Sequence, residues 1–155
     1  MSDDRWTLNN IAVVFIAAPA AKVWAALTGH DTAARPFMGQ PVEVGEVGGR
    51  YAVGDGVIGE VLVKDPPRRL RVTWVVGAPP GVTLPNCEVE YLIEPAETPQ
   101  GGEVVKLTVS EFVDGPVPPQ FVRAGRTGWA LITSNLKTWL ETGQALPNVK
   151  LEPPQ

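Results

Sequence analysis

The sequence PPQFVRAGRTGWALITSNLKTWLETG, residues 118–143, predicts a long helix near the end of the chain. Pro119 suits a first helical position and Gly143 a helix stop, so we expect the helix to cover Pro119–Thr142. Its length would be about 36 Å, enough to cross a whole sheet. Apolar or small residues recur on one face of it, namely Phe121, Val122, Gly125, Trp129, Ile132, Leu136 and Leu140. This face is expected to pack on the rest of the protein.

A first strand is predicted over Asn10–Ala17, and both of its alternating faces are apolar. One face carries Ala12, Val14 and Ile16, and the other carries Ile11, Val13 and Phe15. A strand of this kind is either central in the fold or covered by another element. We favour cover by the protein's own short helices over a dimer contact.

Two short helical segments are predicted after this strand. The first is bounded by Pro19, which suits a helix start, and by Gly29, which suits a helix stop. Three apolar residues between them share one face, namely Val23, Trp24 and Leu27. The second is a single helical turn over Asp31–Phe37, limited by Pro36.

Only strand-like segments lie between the short helices and the long one. They are predicted at Val42–Val47, Arg50–Val53, Val57–Lys64, Leu70–Val76, Cys87–Glu94 and Val104–Phe112. Turns rich in glycine, proline and aspartate separate them, as in an antiparallel meander. Apolar residues alternate with glutamates in Cys87–Glu94, which is typical of a sheet with one packed and one solvated face. The predicted fold class is therefore α+β, with a curved sheet that can leave a hollow beneath the long helix.

Length and charge limit the classes of protein. The 155 residues fit one domain, and 44% apolar against 19% charged residues is a globular balance. We expect the core at about 10–146, a loose arm over residues 1–8 and a loose tail after Leu146. The formal charge is −4 with a pI near 5.0. Because no basic stripe accompanies it, nucleic-acid binding is not expected.

The cellular compartment is predicted from the cysteine count and from the first apolar run. A single cysteine, Cys87, excludes an intramolecular disulfide and suits a reducing compartment. The apolar run Ile11–Ala21 is shorter than the roughly 20 residues that cross a bilayer. It follows Asp3, Asp4 and Arg5, whereas a secretory signal has a basic flank. We expect a cytoplasmic protein with no membrane span.

The order of short motifs along the chain resembles the activator of heat-shock protein 90 ATPase homologue family, within the SRPBCC (START/birch-pollen-allergen-like) superfamily. The matching positions are Val23–Thr28, Gly48–Tyr51, Gly59–Val61, Asp65–Leu70, Thr73–Trp74, Gly128–Trp129, Leu136–Lys137 and Leu140–Gly143. The resemblance implies a helix-grip fold, in which a curved antiparallel sheet wraps a long C-terminal helix around a deep cavity. It further implies carriers and binders of small molecules, cyclases or co-chaperones as the classes of function.

Glu111 is the ionisable residue of most interest. If Leu107 and Val109 face the helix, period-two alternation places Glu111 on that same face, near the strand end. There it would act as an acid, a base or a ligand anchor. The alternative is a solvated carboxylate beyond the rim, or one that pairs with Arg126.

Other reactive groups give weak signals. The lone His30 and Cys87 lie far apart in sequence, so neither a metal site nor a nucleophilic pair between them is predicted. The glycine pairs lack the lysine of a phosphate loop, so no cofactor is expected.

Aromatic side chains are predicted to line the space beneath the long helix. The expected ligand-binding residues, together with Glu111, are Phe37, Met38, Tyr51, Trp74, Tyr91, Trp129 and Ile132. The segment Val113–Pro119 is a further candidate for the mouth of the cavity. The alternative is that the same aromatic residues fill the interior as plain core.

Three functions are compatible with this sequence. The first is binding of a small apolar or aromatic molecule between the sheet and the C-terminal helix. The second is an enzyme of cyclase or hydrolase type that uses Glu111, assisted by Tyr91 or Tyr51. The third is a co-chaperone-like interaction module. We rank them in this order, with a homodimer left open.

Overall fold

The structure is a computed structural model that describes residues 5–147 and Val149. Within these residues eight strands and two helices follow one another along the chain. They are β1 (Thr7–Ile16), α1 (Ala20–Leu27), β2 (Val42–Val44), β3 (Arg50–Val53), β4 (Val57–Asp65), β5 (Arg69–Thr73), β6 (Val75–Val76), β7 (Cys87–Ala96), β8 (Val104–Val113) and α2 (Pro119–Thr142).

All strands pair in antiparallel fashion in one sheet, in the order β1-β8-β7-β5-β4-β3-β2, and β6 pairs with β4. The longest pairings join β8 to β1 on one side and to β7 on the other. Hairpin-length turns connect most neighbours, which explains why the pairing is antiparallel. The predicted α+β class and the long closing helix are confirmed.

The helix α2 has the bounds that the sequence predicts, and it ends where Gly143 adopts a φ of 74°. It runs alongside the edge strand β1. Near its start the Val122 carbonyl accepts from Asn10 Nδ2 at 3.4 Å. Near its end Lys137 Nζ donates to the Phe15 carbonyl at 2.7 Å, and a Glu141 carboxylate oxygen accepts from the Ala17 N–H at 2.8 Å. The helix is therefore tied to both ends of β1.

The core lies between α2, α1 and the inner face of the sheet. Alternation along β7 and β8 buries one side of each strand, because Val89, Tyr91, Ile93, Leu107 and Val109 point towards the helices. Leu136 of α2 and Leu27 of α1 meet them and are almost fully buried. The inner face is thus closed by one apolar cluster.

The expectation that β1 is covered on both faces is wrong. Ile11, Val13 and Phe15 are about half exposed, whereas Ile16 on the other face is fully buried. The reason is the position of β1 at the edge of the sheet and the position of α1. This helix packs against β7 and α2 on the inner side, so it does not cover the outer face.

Several predicted boundaries also need correction. No helix forms over Asp31–Phe37 in the described chain, where turns stand instead, because Arg35 adopts a φ of 45°. Consequently one short helix rather than two follows the first strand. That strand begins at Thr7 rather than Asn10. The tail residues 148 and 150–155, like residues 1–4, lie outside the described residues.

Two strands of the middle region also differ from their predicted lengths. The strand that begins at Val42 ends at Val44, since a turn closed by the Gly49 N–H and the Glu46 carbonyl follows it. The predicted strand Leu70–Val76 is interrupted at Trp74, with β5 pairing to β7 and β6 to β4.

Candidate functional site

An aromatic cluster fills the middle of the interface between the sheet and α2. Its members are Phe37, Tyr51, Trp74, Tyr91 and Trp129, and we call it the aromatic partition. Trp74 is central, with ring centroids 5.1 Å from Trp129, 6.0 Å from Tyr51 and 6.4 Å from Phe37. Tyr91 meets Trp129 edge-on at 6.0 Å. Aromatic pairs at these separations contribute stability beyond that gained from burying their surface.

Two hydroxyl groups satisfy each other inside the partition. The Tyr51 and Tyr91 oxygens lie 3.1 Å apart, and both residues are buried. Burial raises the pKa of each phenol well above its ordinary value, and the neighbouring charge of Glu111 raises that of Tyr91 further. Both groups therefore remain neutral phenols, which makes them unsuited to act as bases.

A cleft of about 790 Å³ opens on one side of the partition. We call it the carboxylate cleft. Its walls include Trp6, Trp74, Cys87, Glu111, Phe121 and Gly125. Gly125 allows α2 to approach the sheet here, because a Cβ at this position would lie 3.0 Å from Asn10 Nδ2. Val117, from the segment Val113–Pro119, also lines this cleft.

Glu111 is held at the inner end of this cleft by three hydrogen bonds. Its Oε1 accepts from Asn9 Nδ2 at 2.8 Å and from Asn10 Nδ2 at 3.0 Å. Its Oε2 accepts from Trp129 Nε1 at 3.2 Å. The carboxylate therefore lies on the inner face, as strand alternation predicts. Among the described residues its partners are Asn9, Asn10 and Trp129 rather than Arg126, which the sequence offered as an alternative partner.

Cys87 lines the same cleft as a protonated thiol. Burial, followed by the negative charges of Glu111 and Glu88, raises the pKa of this thiol to about 12. His30 is engaged elsewhere, with its Nδ1 3.0 Å from the Thr28 hydroxyl. The structure does not join the two residues as a nucleophilic pair.

A second cleft, of about 520 Å³, opens on the other side of the partition. We call it the apolar cleft. Phe37 and Met38 come from the turn after α1, Leu131 and Ile132 from α2, and Trp74 forms the shared wall. Met38 is 41% exposed, so an apolar side chain stands at the mouth. Gln40 and Asp55 supply polar groups at the rim.

The predicted site residues thus fall into three places. Phe37, Met38, Trp74 and Ile132 line the apolar cleft, and Glu111 lines the carboxylate cleft together with Trp74. Tyr51, Tyr91 and Trp129 lie in the partition, where they act as core.

Sequence reasoning missed several residues of the carboxylate cleft. Asn10 was predicted only as the start of a strand and Asn9 was given no role, although two adjacent amides before an apolar run are a signal for a buried polar partner. A register shift between Leu8 and Asn10 turns both amides towards Glu111. Asn135 of α2 was missed as well, and it donates to the Ala34 and Arg35 carbonyls that shape the turn before the apolar cleft.

The outer face of the sheet carries an apolar strip along its edge. Leu8, Ile11, Val13 and Phe15 are between 49% and 55% exposed, and we call them the β1 stripe. Their partners on β8 are mixed, with Phe112 paired to Leu8, Ser110 to Ile11, Thr108 to Val13 and Lys106 to Phe15. This half of the outer face therefore presents apolar and hydroxyl groups, with one cation, Lys106, beside Phe15.

The other half of the outer face is charged and internally paired. Arg69 binds Glu90 at 2.7 Å, and Arg71 binds Glu88 at 2.7 Å. The Arg71 guanidinium also lies 4.6 Å from the centre of the Phe112 ring. Two of the β7 glutamates that the sequence places on a solvated face, Glu88 and Glu90, are therefore engaged with arginines of the same sheet.

The fold and its clefts define the class of protein. A curved antiparallel sheet whose inner face is closed by a long C-terminal helix is the helix-grip arrangement of SRPBCC proteins. Residues 17–141 match the family described as Activator of Hsp90 ATPase homolog 1-like protein, and the chain belongs to that family. The resemblance read from the sequence is confirmed. A search of curated proteins finds no match.

Solved structures of similar proteins share the fold. CalU16 from Micromonospora echinospora is 24% identical, with a TM-score of 0.65 over 86% of this chain and 76% of that one. The Aha1 dimer from Colwellia psychrerythraea is 21% identical, with a TM-score of 0.65 over 87% and 97%. An HSP90 activator from Plasmodium falciparum is 16% identical, with a TM-score of 0.64 over 85% and 95%.

Two further features concern membranes and metals. Neither helix of the described residues combines the length and apolarity needed to cross a membrane. Within the same residues, no three or more His, Cys, Asp or Glu side chains cluster as a metal would require.

Proposed function

We propose that the protein is a cytoplasmic binding protein for a small apolar or aromatic molecule, held in the apolar cleft between the sheet and α2. The observation that carries this proposal is the cleft itself, with walls of Phe37, Met38, Leu131 and Ile132. Its volume of about 520 Å³ lies in the ordinary range of small-molecule sites.

The chemistry of the walls supports an apolar ligand. The walls expose apolar side chains that gain free energy when a ligand displaces water from them. Trp74 offers an aromatic surface for stacking, whereas Gln40 and Asp55 at the rim can orient a polar substituent. The cleft opens directly to solvent beside Met38, so a ligand can enter without a large rearrangement.

Titration with naphthylethanol, a neutral aromatic alcohol, tests this proposal. We expect saturable binding that quenches tryptophan fluorescence and that weakens at least about tenfold in Leu131→Trp, where the larger ring fills the cleft. Ala130→Trp is the matched control, because Ala130 is exposed on the same helix. Absence of saturable binding, or equal binding by both variants, would overturn the proposal.

A second candidate function is protein interaction through the β1 stripe. Exposed apolar strips of this kind mark interaction surfaces. Two copies could face each other at the middle of the stripe without burying a charge, because Ser110 and Thr108, the partners of Ile11 and Val13, carry none. A dimeric relative and a relative that activates HSP90 support the same class of function. We propose a second copy of this chain as the partner, with a chaperone as the alternative.

Light scattering of the purified protein tests the homodimer. We expect the mass of a dimer for the native chain and of a monomer for Val13→Glu, because a carboxylate in the stripe would be desolvated on association. Ile58→Glu is the control, since Ile58 is an apolar residue of β4 that is 42% exposed outside the stripe. A monomeric native chain at high concentration would exclude the homodimer and leave the chaperone to be tested by ATPase stimulation.

A further inference from the structure

The Glu111 carboxylate retains capacity for one more hydrogen bond. An ionised carboxylate offers about four acceptor sites, two on each oxygen. Asn9 and Asn10 use Oε1, whereas Trp129 alone uses Oε2. Because Glu111 lines the carboxylate cleft, the remaining site on Oε2 is available to a donor that enters there.

The charge of this carboxylate is oriented but not cancelled by its partners. All three donors are neutral amide or indole N–H groups. Its field reaches neighbouring groups, since the charge of Glu111 contributes to the raised pKa of Cys87 in the cleft wall and of Tyr91 in the partition. Glu88, the other glutamate of the cleft wall, already pairs with Arg71.

The walls beside Glu111 suit a cation with an apolar body. Trp6, Trp74 and Phe121 present three aromatic rings to the same cleft. Such rings attract cations through their faces and apolar groups through their area. One contact of this type exists at the rim, where the Arg5 guanidinium lies 4.9 Å from the centre of the Trp6 ring.

We propose that the carboxylate cleft is a binding site for an organic ammonium ion with an apolar or aromatic body. Glu111 Oε2 accepts a hydrogen bond from the ammonium group, while Trp74 and Phe121 contact the body. This site is separate from the apolar cleft and does not require that the apolar cleft be occupied.

A matched pair of probes tests the assignment. Naphthylethylamine is protonated at neutral pH, and naphthylethanol has the same body with a neutral hydroxyl group. We expect the amine to bind at least about tenfold more tightly in the carboxylate cleft, because hydrogen bonds between charged groups are the stronger ones. Amide shifts measured by NMR locate each probe, with Gly125 reporting on the carboxylate cleft and Gly128 on the apolar cleft.

Two variants separate the charge from the shape of the site. Glu111→Gln removes the charge at nearly constant size and should reduce the affinity for the amine to that for the alcohol. Because its amide would face the N–H groups of Asn10 and Trp129, this variant can also disturb the fold. Ala124→Phe fills the cleft without altering Glu111, and it should abolish amine binding. Ala130→Phe, on the exposed side of α2, should leave binding unchanged.

Each outcome decides one of the two proposals. Selective amine binding with shifts at Gly125 that Ala124→Phe removes would establish the ammonium site. Equal affinities of amine and alcohol, or amine binding that persists in Ala124→Phe, would overturn it. Shifts confined to Gly128 would retain the apolar ligand site and reject the ammonium site. Shifts confined to Gly125 would retain the ammonium site and reject the apolar ligand site.

Discussion

The two clefts lie at opposite sides of one partition yet are built in different ways. Around the carboxylate cleft, Glu111 joins β1, β8 and α2 through hydrogen bonds to Asn9, Asn10 and Trp129. The apolar cleft instead has one wall formed by the turn that carries Phe37 and Met38. Hydrogen bonds fix geometry in a way that apolar contacts do not, so the first cleft is suited to selectivity and the second to ligands of varied shape.

The aromatic partition supplies Trp74, the ring that lines both clefts, and disruption of this cluster should have the largest effect. Trp129 contacts Trp74 and Tyr91, and it donates to Glu111. We expect Trp129→Ala to lower the free energy of unfolding by about 3–5 kcal/mol, because it creates a large cavity in the core. Urea denaturation measures this change.

A control for the loss of helix surface is Arg126→Ala, at an exposed position of α2, which should change stability by less than about 0.5 kcal/mol. If Trp129→Ala proved as mild as this control, the partition would not be a structural element. The two clefts would then be parts of one adaptable cavity.

A smaller loss of stability distinguishes the carboxylate cleft from the apolar cleft directly. Asn10 is buried and donates to both Glu111 and the Val122 carbonyl, so Asn10→Ala should lower the free energy of unfolding by about 1–3 kcal/mol. Met38→Ala at the mouth of the apolar cleft should lower it by less than about 1 kcal/mol, because this side chain is already 41% exposed. Thermal denaturation of both variants under the same conditions gives the comparison. Equal losses would mean that both clefts are equally rigid.

Local signals explain why the fold is predictable from the sequence. The bounds of α2 follow from Pro119 and Gly143, since each acts through its own backbone. The inner side of β7 and β8 follows from strict alternation, which also places Glu111. The apolar outer side of β1 could not be assigned in this way, because the cover of a strand depends on where distant helices pack.

The clefts themselves depend on contacts between distant residues. Asn10 reaches Glu111 across 101 positions of sequence, and only a register shift in β1 makes the contact. Likewise the volume left beside Trp74 depends on how far α2 approaches the sheet, which Gly125 influences. The sequence predicts which side chains face inward, whereas it does not predict where they leave space.

The attachment of α2 to β1 has a consequence beyond the clefts. An edge strand exposes backbone N–H and C=O groups on which a foreign strand can assemble, and such growth leads to aggregates and fibrils. Lys137 occupies the outward carbonyl of Phe15, and Glu141 occupies the N–H of Ala17 directly after the strand. The helix α2 thereby blocks the addition of a foreign strand at the Phe15–Ala17 end of β1, which reduces the tendency of the protein to polymerise.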